Sequence, residues 1–314
     1  MNIVIYSENG VFDITNKVID KVVIKSEYKY QPTKVKMNIL LDEKVYFNEG
    51  DNIQIKLEDN NLFSGYIFTK KIINKEILNI VAYDSLRYFI TRDTFIYKDK
   101  KASQVLKMIC NDFGVKTGVI EDTGYTIPYR IEENQTILDI IYTALDLTRS
   151  FNNKKYILFD DFGKISLKSY ESMKLPILID CDRYVINYNY ISSIDKKVYN
   201  SIKVSVKSKK TKVISTYLEE DEKNKKKWGT LRKFIRLPND FNSVQAKNYA
   251  KNILNLNNKV NEKIEIMCFG DKTIRAGNLI NISINKNIRI CVAEECTHFI
   301  ENNEHIMRLI LKPL

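Results

Sequence analysis

The same short unit is written twice, near the two ends of the chain. Residues 50–81, "GDNIQIKLEDNNLFSGYIFTKKIINKEILNIV", read as three short strands joined by two tight polar turns. Residues 277–311, "GNLINISINKNIRICVAEECTHFIENNEHIMRLIL", have nearly the same rhythm. Gly50-Asp51-Asn52-Ile53-Gln54-Ile55 matches Gly277-Asn278-Leu279-Ile280-Asn281-Ile282, and the turns "EDNN" and "NKN" follow. Long strands then run through Phe68 and Phe299 into the polar turns of "INKEIL" and "ENNEHIM". Any two antiparallel meanders share a period of two. Spacing held over three strands exceeds that background and predicts two equivalent units, with Gly50 over Gly277 and Phe68 near Phe299.

The text between the copies changes period. From Met1 to about Tyr97, runs such as "KVVIKS", "VKMNILL" and "ILNIVAYD" are β-branched and broken by Asn, Asp, Glu and Gly, which predicts a small antiparallel barrel or sandwich. At about Lys98 a helical spacing begins: Val105, Leu106, Ile109 and Phe113 share a face, with Gly114 in a C-cap position. Ile137, Leu138, Ile141, Ala144 and Leu145 repeat it, with Thr136 and Asp139 as a capping box. "GYTIPYRIEEN" reads as extended, and "KKYILFDDFGKISLKS" as a hairpin turning at Asp161–Gly163. Strands return at about Leu175. A third helix is predicted in "NSVQAKNYAKNILNLNN", capped by Ser243, with Val244, Ala250, Ile253 and Leu254 on one face.

Length and composition bound the class. A chain of 314 residues predicts two or three domains, and 44% hydrophobic with 28% charged residues is ordinary globular composition. The net charge of +11 would favour anionic partners if gathered on one face, but it is spread along the chain, so no specific nucleic-acid binding is expected. Cys110, Cys181, Cys268, Cys291 and Cys296 are an odd, scattered set, which argues against a disulfide framework. "MNIVIYSENG" lacks a basic flank and a long apolar run, and no stretch reaches the roughly 18 apolar residues of a spanning helix. Synthesis in the cytoplasm is the corresponding expectation.

Chemical motifs are sparse. "DFG" occurs at 112–114 and 161–163, but no phosphate loop or catalytic-loop motif accompanies it, so both read as turn chemistry. Cys291, Cys296, His298 and His305 have zinc-type donors, yet no C-x-x-C knuckle is present, and buried thiols with surface histidines are expected instead. Glu219, Glu220, Asp221 and Glu222 supply carboxylates for a hydrolase, but their run into lysines reads as a solvated loop or hairpin tip. No catalytic, cofactor or metal residue is assigned.

The phrases "AYDSLRYFITRDTFIYKDKKASQVLKMICNDFGV", "TILDIIYTALDLTRSFNNKKYILFDDFGKISLK" and "SIDKKVYNSIKVSVKS", in that order, resemble the XkdQ/YqbQ-type phage tail proteins, the baseplate hub subunits of contractile tails and phage-tail-like bacteriocins. The likeness runs from about Asn48 to the end and covers scaffold, not catalytic residues. It implies an α+β, mostly β fold of two related tube-like antiparallel β-barrels with a small α/β domain between them. The expected division is 1–97 for the first barrel, 98–174 for the α/β domain and 175–314 for the second barrel with one inserted helix, with packing of residues 175–195 on the first barrel as the alternative. The resemblance further implies a homotrimer whose six barrels join a six-fold tail tube to a three-fold spike, giving passage to DNA or ions. Its implied partners are the tail tube, central spike, other baseplate proteins and the tape measure protein, in a virion or phage-tail-like particle, with no membrane in the resting state. No further domain is expected after the second barrel, and any lytic activity is expected from a separate partner. The rival readings are a tail-associated peptidoglycan hydrolase and a basic nucleic-acid-binding module; the polar loops "KSKKTK" and 219–228 are candidate contacts.

Overall fold

The structure, a computed structural model, describes residues 1–42, 46–207, 212–237, 242–302 and 304–314. In chain order, the first strands are β1 (Asn2–Ser7), β2 (Gly10–Asp13), β3 (Val22–Glu27), β4 (Lys34–Leu40), β5 (Asn52–Leu57), β6 (Asn60–Ile73) and β7 (Ile77–Tyr83). A 3-10 turn, Ser85–Ile90, leads to β8 (Arg92–Lys101), α1 (Ala102–Asp112), β9 (Thr117–Ile120), β10 (Thr126–Thr136), α2 (Ile137–Asn152), β11 (Tyr156–Asp160) and β12 (Ile165–Ser169). Then come β13 (Lys174–Asp180), β14 (Val185–Ser193), β15 (Ser201–Lys207), β16 (Ile214–Glu220), α3 (Glu222–Trp228), β17 (Arg232–Leu237) and α4 (Ser243–Asn257). The chain closes with β18 (Asn261–Phe269), β19 (Leu279–Ile284), β20 (Asn287–Glu301) and β21 (Glu304–Pro313). The protein is mostly β, with largely antiparallel sheets, and forms two compact units: Met1–Asn189 with Ile264–Leu314, and Tyr190–Lys263.

The repetition is wider than the sequence suggests. One set of strands lies in the order β1-β5-β6-β7-β4-β3 and the other in the order β13-β19-β20-β21-β18-β14. Each long central strand carries a bulge at the same place: the register slips between Ile67 and Thr69 against β7, and between Ala293 and Glu295 against β21. The Gly50 N–H donates to the Ile67 carbonyl at 2.7 Å and the Ile67 N–H to Asp51 at 3.0 Å; Gly277, Ala293 and Asn278 make the same pair of bonds at 2.8 and 2.9 Å. Both glycines hold the left-handed φ that suits residues without a Cβ, +94° and +93°. The buried faces also correspond, with Val35, Met37 and Ile39 against Ile264, Ile266 and Cys268, and Leu78, Ile80 and Ala82 against Met307, Leu309 and Leu311.

Gly50 therefore matches Gly277, but Phe68 does not match Phe299. Phe68 is the bulge residue of β6 and its counterpart is Glu294, whereas Phe299 lies five residues further along β20, opposite Ile306 and Val23. The copies also differ at one edge, where β1 pairs antiparallel with β5 and β13 pairs parallel with β19.

Between the copies, α1 and α2 pack on β8, β10, β11 and β12 around Val105, Leu106, Ile109, Ile140 and Ile141. Every residue of β11 is buried because it has apolar neighbours on both faces: Tyr156 and Leu158 join the helices, while Ile157 and Phe159 pack with Leu279 and Val292 of the second copy. Thr136 caps α2 as expected, its Oγ1 accepting from the Asp139 N–H at 3.1 Å. Gly114, at φ +63°, lies one residue past the C-cap of α1.

The second unit places β15 between β16 and β17, with Ile202, Val204 and Val206 packed against Ala246, Ala250 and Leu254 of α4. Two expectations are corrected here. Asn242, not Ser243, caps α4, because its side chain and that of Gln245 satisfy each other's backbone N–H groups. The acidic-to-basic run forms α3 rather than a loop: Asp221 caps it and the lysines lie in its last turn, where the helix dipole favours them. No helix among the described residues is long and apolar enough to cross a membrane.

A methyl group at Gly50 would meet open space, whereas at Gly277 it would lie 2.5 Å from Ile157 Cγ2. Gly50→Ala should cost the ~1 kcal/mol of backbone strain, and Gly277→Ala about 1–3 kcal/mol more through overpacking. Denaturant unfolding of the two variants checks the difference.

Candidate assembly surface

The two copies meet through one antiparallel strand pair. β3 of the first copy lies on β20 of the second, with Glu27 opposite Glu295, Lys25 opposite Thr297 and Val22 opposite Ile300. Alternation buries Val22, Ile24 and Ser26 on one side. On the other, Lys25 Nζ sits 3.0 Å from Glu27 and 2.9 Å from Glu295. Ser26 closes the inner side: its hydroxyl donates to the Cys296 carbonyl and accepts from the Ala276 N–H. β3 is thus paired on both edges, with β4 and with β20.

The counterparts of this pair are left open. By position in the sheets, β14 corresponds to β3, and Thr69–Ile73 of β6 correspond to Glu295–Phe299 of β20. Among the described residues β14 has a strand neighbour on one edge alone, and β6 has only β5 and β7. Ile72 is 61% exposed, while its counterpart His298 at the joined edge is 6% exposed. Ile186 of β14 is exposed too. Unpaired N–H and C=O groups beside exposed apolar side chains form a pairing template for another chain.

The candidate chemical residues are committed elsewhere. Glu220 accepts from Lys225, Ser201 and Arg232, and the Lys225 contact leads in holding its carboxyl down to about 2. Asp221 accepts from the Asn224 N–H and from Asn258. Such acids are held ionised, the opposite of what a general acid requires. Asp161–Gly163 turn between β11 and β12, with the Asp161 N–H donating to Lys164. Most of "KSKKTK" lies outside the described residues.

Cys296, His298 and His305 do come together, while Cys291 lies further along β20, opposite Ile280 and Pro313. His298 is buried rather than on the surface, a correction of the sequence expectation. Its Nε2 lies 3.0 Å from the Ile274 carbonyl and 3.3 Å from Cys296 Sγ, and its Nδ1 lies 2.9 Å from His305 Nε2. These partners fit a neutral ring that donates to Ile274 and accepts from His305. Among the described residues no group of three or more such donors is arranged so that it could hold a metal ion.

Burial first, and then His305, lowers His298 to about 4. Between an unfolded value near 6.5 and that folded value, the unfolded chain binds a proton that the folded one refuses. The stabilisation is therefore present above about pH 6.5 and lost as pH falls toward 4, by up to about 3 kcal/mol. Denaturation at stepped pH should show this slope, and His298→Asn should flatten it.

Four similarities bear on this arrangement. A YQBQ-like family model matches residues 22–312. Among curated Bacillus subtilis (strain 168) proteins, the chain is 26% identical to the phage-like element PBSX protein XkdQ, over 82% of this chain and 80% of that one. It is 25% identical to the uncharacterized protein YqbQ over 82% and 77%. Among solved structures, the 43 kDa tail protein of prophage MuSo2 from Shewanella oneidensis superposes with a TM-score of 0.75, at 10% identity, over 100% of this chain and 98% of that one. The chain belongs to the YQBQ-like family.

Proposed function

We propose that the chain is a structural, non-enzymatic hub subunit of a tail baseplate, closing with two further copies of itself into a ring. The observation that carries this reading is the β3–β20 joint, made once within the chain and offered once more, unmade, by β14 and by Thr69–Ile73 of β6. A contact between different patches of identical chains is heterologous, and it gives a closed ring when its rotation closes. Three chains with two sheet copies each would present six similar units to a six-fold tube and three chains to a three-fold spike.

On this reading the copies belong to barrel-like domains over 1–97 and 175–314, with 98–174 as the α/β domain between them. The partners are the tail tube protein, the central spike, other baseplate proteins and the tape measure protein, in a phage or phage-tail-like particle. The name of the Shewanella protein supports a tail role, and that of XkdQ a phage-like origin. The engaged state of Glu220 and Asp221 supports a scaffold over a hydrolase.

The test is the oligomer. Wild-type protein in sedimentation should reach three times the 36.8 kDa chain mass. Ile72→Asp, a change at an exposed side chain, should shift it to monomer while altering monomer stability by less than about 0.5 kcal/mol. A wild-type monomer at high concentration, or a trimer indifferent to Ile72→Asp, contradicts the reading.

A further inference from the structure

Where β7 ends and the α/β module begins, two carboxylates are buried together. Asp84 and Asp160 are 2% and 5% exposed. Asp84 accepts from the Thr33 N–H at 2.9 Å and the Leu86 N–H at 3.1 Å; Asp160 accepts from the Ser85 N–H at 3.0 Å and the Gly163 N–H. The first copy, the 3-10 turn and β11 are thus tied by four backbone donors to two acids. The second copy supplies the counter-charge: the Arg275 guanidinium lies 4.4 Å over the Phe159 ring, and its Nη2 donates to the Asp160 carbonyl at 2.9 Å. Arg275 is half-buried as a residue, but its Nε is out of solvent and without a hydrogen-bond partner.

The charges do not balance if both acids are ionised. Two carboxylates face one guanidinium, and the groups around the same cavity of about 250 Å³ are Asp161, Lys272 and His298. Lys272 is engaged by Glu58, and His298 is a neutral ring bonded to Ile274 and His305. Asp161, beside Arg275, adds negative charge. Burial, followed by repulsion from Asp160, pushes Asp84 above the ordinary carboxylate range. We propose that this junction is a proton-dependent latch: one proton on the Asp84 and Asp160 pair keeps the start of the α/β module clamped between the two sheet copies, and its loss releases the clamp.

The direction follows from linkage. When the junction opens, Asp84 is solvated and returns to an ordinary carboxylate that ionises near pH 4. While the closed form keeps its proton and the open form does not, each added pH unit favours opening by up to tenfold. Above the closed-state value both forms are ionised and the effect levels off. The latch stands apart from the hub reading, because a monomer would show it equally.

Amide hydrogen exchange from about pH 5 to 7, corrected for intrinsic rate, tests the latch on the whole chain. Protection at Thr33, Ser85, Leu86 and Gly163 should fall with pH by up to tenfold per unit, while Leu309, in the core of the second copy and favoured by the opposite His298 linkage, should not share that fall. Asp84→Asn should remove the slope at all four amides. Arg275→Gln, which leaves the acids unopposed, should carry the slope to higher pH and keeps the proposal testable if Asp84→Asn does not fold. A level wild-type profile, the same slope at Leu309, or slopes untouched by either substitution overturns the latch.

Discussion

The first unit depends on one strand pair between distant parts of the chain. β3 lies near the N-terminus and β20 near the C-terminus, and their ladder from Val22–Ile300 to Glu27–Glu295 makes one 13-stranded sheet of two copies. The joint constrains its surroundings. It buries Val22, Ile24 and Ser26, sets the loop before Gly277 against Ser26, and brings Arg275 to the junction where Asp84 leaves β7. Closing a loop of some 270 residues costs only slowly growing entropy, but a contact so distant in sequence forms slowly. The local meanders and the helix pair are therefore expected to form before the joint.

Duplication leaves a structural remainder. A sheet copy paired on every edge would be a finished object, whereas this chain joins its copies once and keeps the equivalent edges of β14 and β6 available. The copies are otherwise free to diverge. Between β3 and β4 there is only the short connection through Tyr28 and Thr33, while the corresponding gap between β14 and β18 holds most of the second unit, Tyr190–Lys263, with its own sheet and core. A ring contact that uses backbone groups tolerates such divergence, since N–H and C=O groups are common to nearly all residues.

What the sequence made legible is what local rules control. The match of Gly50 with Gly277, the Thr136 cap, the helical faces around Ile109 and Ile141 and the turn at Asp161–Gly163 were readable because a few neighbouring residues decide each. The equivalence failed at Phe68 because a period-two strand pattern looks alike under small shifts, and only the ladder places Phe68 level with Glu294 instead of Phe299. His298 looked like surface because nothing in its own strand announces the Ile274 carbonyl or His305. The pairing of Asp84 with Asp160 was invisible for the same reason: each resembles an ordinary turn aspartate, and only the fold removes both from water. The candidate assembly edges were legible in part, since the repeated meander was present but the strand that joins the copies was not.

The central claim is that the joint within the chain is remade between chains. A reconstruction of the assembled oligomer by electron cryo-microscopy tests it most directly. The account predicts six similar sheet units around one axis, with β14 of each chain antiparallel to Thr69–Ile73 of the next. An assembly in which these two edges remain unpaired, or in which chains meet through other surfaces, would contradict it.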